Sequence, residues 1–282
     1  MMQAVRVDRN TGHWSDEWNP GRPCDVNKGA RTMAYGNTTL AKGSDGDEVV
    51  ELQMRLAGFR GTMPDGDFGP GTELQVVKFQ QDYMKRDAPD GIVDAATFDA
   101  IDQFAAELPI DFGSLACPCA RCDGFGGGRS KGEYRADKPH IEAYHLYEYP
   151  GVHKMLLWAV RALKFYLPQY NFVISSGYRC AENNKMKNRT STNHHGKAID
   201  LDVPLGPGED KRDDMRRCDE IRGLLAERSA AQIGWSAANR KSLEPASIAP
   251  TWVHYDVRSY ERKYLADRYF CVNSEQLDQP TA

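Results

Sequence analysis

The stretch STNHHGKAIDLDV, residues 191–203, sets two histidines directly ahead of a run in which polar and apolar residues alternate. In an extended strand, successive side chains point to opposite faces. Ala198, Asp200 and Asp202 therefore share one face and Ile199, Leu201 and Val203 the other, so one face reads as core and the other is free for polar work. TWVHYDVR, residues 251–258, repeats the pattern, with Trp252, His254, Asp256 and Arg258 on one face and Val253, Tyr255 and Val257 on the other. If the two strands are neighbours in an antiparallel sheet, Asp200 meets His254, and a histidine just upstream completes a His, Asp, His set. Three protein ligands of N and O type leave a fourth position for water, the arrangement of catalytic rather than structural zinc. The expected ligands are His194, Asp200 and His254, because His194 keeps the strand parity of Asp200. His195 is the alternative, since Gly196 can break that parity.

The 282 residues, 40% hydrophobic and 27% charged, suffice for one or two globular domains with real cores. A net charge of −4 and a pI near 6.0 lack the basic footprint that draws proteins to nucleic acid or anionic lipid, so neither partner is expected. No apolar run approaches a membrane span, and the opening MMQAVRVDRNTGHW lacks the apolar core of a secretory signal. The expectation is a monomer without membrane insertion, made in a cytoplasm and reaching any outside target by release or export. The odd number of cysteines, seven, argues against a complete disulfide framework. Three of them cluster in CPCARC as Cys117, Cys119 and Cys122. A fourth ligand such as His140 would make that a structural zinc knuckle; buried free thiols are the other reading.

Residues 1–42 show no sustained period and read as an irregular arm. From Gly43, DEVVELQMRLAGF places Val49, Leu52 and Leu56 on one helical stripe, with Gly58 as a stop. ELQVVKFQQDYM and FDAIDQFAAEL follow as second and third helices. The linkers between them repeat: Asp65-Gly66 and Asp90-Gly91 each precede an apolar residue, Phe68 or Val93, and then a threonine, Thr72 or Thr97. The glycine supplies a turn, the apolar residue plugs the core and the threonine caps the next helix. Residues 43–108 thus read as a three-helix bundle, 109–275 as a second domain and 276–282 as a tail. In the second domain, GFGGGRSKGEY reads as a flexible loop, Val152 to Tyr166 as a helix and NFVISSGYRC as a buried strand ending in a turn. His13, His140, His145 and His153 read as surface or capping residues, Met155 and Trp158 as core, and the mixed-charge run EDKRDDMRRCDEIRGLLAER as a solvated loop and helix. Trp252 reads equally as a cleft wall or a half-buried strand aromatic.

Through LQMRL, DGDFGPGT, VVKFQ and DGIVDAAT, residues 43–108 resemble the peptidoglycan-binding domain found beside cell-wall hydrolases. SSGYRC at 175–180, STNHHGKAIDLD at 191–202 and WVHYDVR at 252–258 resemble the zinc D,D-carboxypeptidase and L-alanyl-D-glutamate endopeptidase family (peptidase M15), which shares its core with Hedgehog domains. The resemblance implies an α+β fold: an N-terminal three-helix bundle, then a Hedgehog-like domain with a small antiparallel sheet and flanking helices. It implies that Asp200 and His254 bind Zn2+ and that Arg179 binds substrate or stabilises an oxyanion. The commonest form of the motif puts the first ligand where this chain has Asn193; variants reading Asn-His-x-Gly-Lys-Ala point to His194. His195 with Asp202 would restore the commoner ligand spacing, but it moves the aspartate off its place after Gly-x-Ala. Many relatives carry an acid at the position of Thr251, so Asp256 and Glu244 are the acid/base candidates here. The expected function is peptidoglycan hydrolysis, with zinc-activated water cutting an amide bond of the stem peptide, as in a phage endolysin. The alternatives are a non-catalytic zinc- and wall-binding protein, a secretion-system-associated hydrolase or toxin, and an amidase cutting between sugar and peptide.

Overall fold

The computed structural model describes residues 35–126, 147–189, 191, 193–236 and 240–280. Most of the arm expected over 1–42, most of the Gly-rich loop, and His13, His140 and His145 lie outside these.

The first helices are α1 (Asp47–Arg55), α2 (Pro70–Asp82) and α3 (Ala95–Glu107). A buried glutamine clamps each Asp-Gly linker. Gln53 Nε2 donates to Asp65 Oδ1 (2.7 Å), Asp67 O (3.1 Å) and Thr72 Oγ1 (2.9 Å), while its Oε1 accepts from Gly66 N (2.9 Å). Gln80 does the same in the second linker, donating to Asp90 Oδ1 and Ile92 O and accepting from Asp90 N and Gly91 N. Gly66 and Gly91 sit at φ +83° and +71°, and Phe68 and Val93 are buried. The threonines are not caps. Gly69 and Asp94 hold the cap positions, and Thr72 and Thr97, three residues further on, turn their hydroxyls back to Asp67 O and Asp94 Oδ1. Asp94 wins because its carboxylate also accepts from Thr97 N (2.8 Å).

After α4 (Phe112–Leu115), a short strand β1 (Val152–His153) leads into α5 (Lys154–Tyr166). The helix starts later than the Pro150 signal suggests, because His153 Nδ1 accepts from Met155 N (3.3 Å) and so caps it. Every residue from Lys154 to Leu163 is buried, Met155 and Trp158 among them, as in a helix covered on all sides. One side carries the bundle: a Cβ on Gly58 would stand 2.1 Å from Ala162 Cβ, and Phe59 packs on Phe79, Phe104 and Phe165 with centroids 5.1, 5.3 and 6.0 Å away. Arg55, buried in α1, pairs with Glu51 (2.7 Å) and Asp102 (3.0 Å), donates to Asp278 O and lies 5.3 Å over Trp158.

A three-stranded antiparallel sheet follows in the order β2 (Val173–Ser176), β3 (Ala198–Asp202), β4 (Val253–Asp256). β2 is a half-buried edge strand rather than a buried one; β3, at the centre, is buried. β3 pairs with β4 so that Asp200 lies opposite His254 and Ile199 opposite Tyr255, the latter pair facing the core. Between β2 and β3 lies α6 (Ala181–Met186). The charged run forms α7 (Lys211–Arg228), opened by a capping box in which Asp210 accepts from Arg212 N and Asp213 from Asp210 N. β5 (Phe270–Cys271) pairs with β1, and α8 (Ser274–Asp278) closes the described chain.

Gln53→Leu leaves several buried linker groups unpaired and is expected to lower the unfolding free energy by about 2–3 kcal/mol in urea titration; a change within about 0.5 kcal/mol contradicts the clamp. His153 supplies a second test. Its Nε2 donates to Tyr264 O (2.9 Å) while Nδ1 serves as the cap acceptor, and burial lowers its pKa from 6.5 to about 4. Between those values the unfolded chain takes up a proton that the folded chain refuses, so stability falls as pH falls, by roughly 3 kcal/mol at the lower end. His153→Asn retains a cap oxygen and is expected to lose this acid sensitivity; an equally steep loss in the variant contradicts the assignment.

Candidate metal centre

The site forms where the polar faces of β3 and β4 meet the loop after β2. The Asp200 carboxylate is its centre. Asp200 Oδ1 lies 2.7 Å from His254 Nδ1 and 3.4 Å from His194 Nε2, and Oδ2 accepts from Arg179 Nη2 at 2.7 Å. Arg179 is itself steadied by Nε donating to Ser176 Oγ (2.7 Å). All three histidine and aspartate side chains are buried, and one ligand atom from each lies within 4.8 Å of the others.

His194 reaches this position from a turn, not from an extension of β3. Gly196, at φ +113°, passes so close to Gly151 that a Cβ would stand 2.4 Å from its carbonyl, and strand parity ends there. The ring is held from both sides of the turn: Nδ1 donates to Gly177 O (2.8 Å), and Arg179 N donates to His194 O (2.7 Å). Gly177 is required because α4 ends against it; a Cβ there would meet Leu115 backbone atoms at 2.3–2.7 Å. His195 points elsewhere, with Nε2 3.2 Å from Asn184 Nδ2. Asp202 lies on the cleft wall outside the ligand set.

Each second ring nitrogen is accounted for. His254 Nε2 lies 2.9 Å from Asp256 Oδ2, and Asp256 is completely buried. Arg258 ion-pairs with the same carboxylate and donates its backbone N–H to Asp256 Oδ1 (3.0 Å), and the Asn193 amide oxygen accepts from Arg258 Nη2 (2.9 Å). Arg258 Nη2 also lies 2.9 Å from His254 Nε2. That nitrogen cannot donate to Asp256 and accept from Arg258 at once, and the carboxylate is the stronger partner, so His254 donates to Asp256. Burial alone would lower the His254 pKa, but the bonds to Asp200 and Asp256 push it up to about 9. Burial lowers His194. Burial raises Asp200 and Asp256, but their histidine and arginine partners win and hold both carboxyls below the usual range.

These contacts test whether a cation fits. With Nδ1 of His194 committed to Gly177, its Nε2 lone pair faces an Asp200 carboxylate oxygen at 3.4 Å, two acceptors with nothing to share. With Nε2 of His254 donating to Asp256, Nδ1 donates to the same oxygen (2.7 Å), a place that a cation would take over from the proton. Two imidazoles and a carboxylate converging in this way suit a zinc ion, with Gly177 and Asp256 fixing the ring orientations behind it.

A cleft of about 530 Å³ opens over the three side chains. Arg179, Glu244, Thr251 and Trp252 line it; Asp256 does not. Leu243 bridges to Tyr255 on the free edge of β4, which carries Glu244 onto the wall. Sequence reasoning did not single out Ser176, Trp235 or Arg240 as wall residues, nor Arg258 as the partner of Asp256 or Asn193 as the partner of Arg258. Arg258 was visible as the last polar member of its strand face. Trp235 and Arg240, stacked 4.7 Å apart on a loop, carry no periodic signal.

Residues 45–101 match the family model described as "Putative peptidoglycan binding domain". The chain is 30% identical over 171 residues to a zinc D-Ala-D-Ala carboxypeptidase of Streptomyces albus G, which is 58% of this chain and 60% of that protein. It is 39% identical over 66 residues to the spore cortex-lytic enzyme of Bacillus subtilis (strain 168), 23% of this chain and 21% of that one. The chain thus spans less than two thirds of either relative. No described helix is long and apolar enough to cross a membrane. The resemblance drawn from the motifs stands in both its parts: a peptidoglycan-binding segment, and homology to a zinc carboxypeptidase.

Proposed function

We propose that the protein is a peptidoglycan hydrolase that cuts an amide bond of the stem peptide. The observation that carries this reading is the convergence of His194, Asp200 and His254 at the base of a cleft, in a chain with a peptidoglycan-binding match. His194 Nε2, Asp200 Oδ1 and His254 Nδ1 would hold the metal. Bound there, zinc would supply a Lewis acid for the scissile carbonyl and would lower the pKa of a water to about 7.

The chain's own residues do the rest. Arg179 holds Asp200 in place and lies at the cleft, where a guanidinium also suits an oxyanion or a carboxylate of the substrate. Arg240 stacks on Trp235 and adds positive charge to the same wall. Asp256, buried behind His254 and paired with Arg258, keeps the imidazole in one orientation and does not reach substrate. Glu244 is the carboxylate on the wall outside the ligand strand and takes the acid/base role, moving the proton between water and leaving amine. The relative's name suggests a D-Ala-D-Ala bond as the first substrate to try. The peptidoglycan-binding segment raises the local concentration of a polymer for which the cleft alone needs only modest affinity.

Mass spectrometry of purified peptidoglycan digested by the zinc-loaded chain is expected to find peptide fragments with new free amines, and none with His254→Ala. Zinc binding without products would leave a wall- and zinc-binding protein and overturn the enzyme reading. Glu244→Gln is expected to cut turnover by about 100-fold or more at unchanged zinc content; full turnover removes it as the base. Asp256→Asn is expected to weaken zinc binding by roughly 10- to 100-fold in chelator competition; unaltered affinity contradicts its positioning role.

A further inference from the structure

A second cluster of metal-ligating side chains lines no part of the cleft. Cys117, Cys119, Cys122 and Cys180 turn their sulfurs toward one another: Cys119 Sγ is 3.5 Å from Cys122 and 3.4 Å from Cys180, and Cys117 Sγ is 3.6 Å from Cys180. All four sulfurs lie within 4.8 Å of one another. A disulfide holds its sulfurs about 2.05 Å apart. Sulfurs at the corners of a tetrahedron, each about 2.3 Å from a central zinc, stand about 3.8 Å apart, close to the observed spacings.

The surroundings favour the same arrangement. Arg121 N donates to Cys119 Sγ (3.3 Å), Cys180 N to Cys117 Sγ (3.5 Å) and Asn183 N to Cys180 Sγ (3.4 Å). Backbone N–H groups aimed at sulfur favour the thiolate and fix its direction, as around metal-bound cysteine. Ala120 adopts a left-handed φ of +54° between Cys119 and Cys122, a conformation an alanine keeps only when its surroundings impose it. Residues 116–126 contain no helix or strand; Cys117 N donates to Gly124 O (2.6 Å) and Phe125 packs edge-on against Tyr178, so the four sulfurs sit in a loop closed on itself. Two residues separate Cys119 from Cys122, the spacing of zinc knuckles. The fourth sulfur comes from Cys180, 58 residues on, and His140 lies outside the described residues.

We propose that these four cysteines bind a structural zinc ion, separate from the metal centre in the cleft. Four thiolates and no open position make a closed site, suited to holding chain segments rather than to chemistry. Cys180 directly follows Arg179, so the ion would staple the loop that carries Arg179 and Gly177 to the segment following α4. The proposal does not depend on the hydrolase reading.

The test is the zinc content of the full chain, purified without chelator under reducing conditions and measured by plasma mass spectrometry. The expected result is two zinc ions per chain, falling to one in Cys119→Ser, to one in His254→Ala and to none in the double variant. Because Cys119→Ser can fail to fold, the wild-type chain loaded with cobalt(II) gives an independent reading: a tetrathiolate site adds an intense sulfur-to-cobalt charge-transfer absorption that the His, Asp, His set lacks. At most one zinc in the wild type, lost in His254→Ala, with no charge-transfer absorption, would overturn the proposal. So would a mass showing two disulfides under non-reducing conditions, or iron with acid-labile sulfide. Two zinc ions without hydrolysis would sink the hydrolase reading and leave this one standing.

Discussion

The register of β3 against β4 is the constraint on which the site depends. Because side chains alternate with a period of two, placing Asp200 opposite His254 sends Ile199, Leu201, Val253 and Tyr255 into the core in the same step. A slip of one residue would bury the aspartate among those apolar groups and lift the apolar residues into the cleft. The hydrophobic core therefore fixes the geometry of the candidate ligands, and the cost of misplacing Asp200 is the cost of losing the sheet's packing.

Around that pair, each remaining part is held by a contact to the backbone or to a buried carboxylate. His194 is aimed by Gly177 O, Arg179 by Ser176 and Asp200, and His254 by Asp256, which Arg258 in turn holds. The loop that supplies Gly177 and Arg179 ends at Cys180, among the four sulfurs. Behind the sheet, α5 is covered on all sides, and the aromatic cluster around Phe59 and the ion pairs of Arg55 tie it to the first three helices. The peptidoglycan-binding segment is thus packed against the half that carries the cleft, not strung from it on a loose tether.

What the sequence made legible follows from what is local. The alternation along 198–202 and 252–258 made the Asp200 and His254 pairing readable, and the doubled Asp-Gly linker made the helical bundle readable. The threonine after each linker misled because a nearby aspartate or glycine can take the cap and leave the threonine one turn in. The route to His194 was illegible from parity, since Gly196 ends the strand and a turn delivers the ring. Contacts made between segments distant in sequence left no trace at all: Asn193 on Arg258, and Cys180 completing a cluster begun at Cys117.

Anomalous diffraction at the zinc edge, from crystals of the full chain grown with zinc, would locate any metal in the cleft atom by atom. A peak bonded to His194 Nε2, Asp200 Oδ1 and His254 Nδ1 at the base of the cleft is the expected result. An ordered cleft without a peak there, or a zinc bound through His195 or Asp202 in place of those atoms, would contradict it.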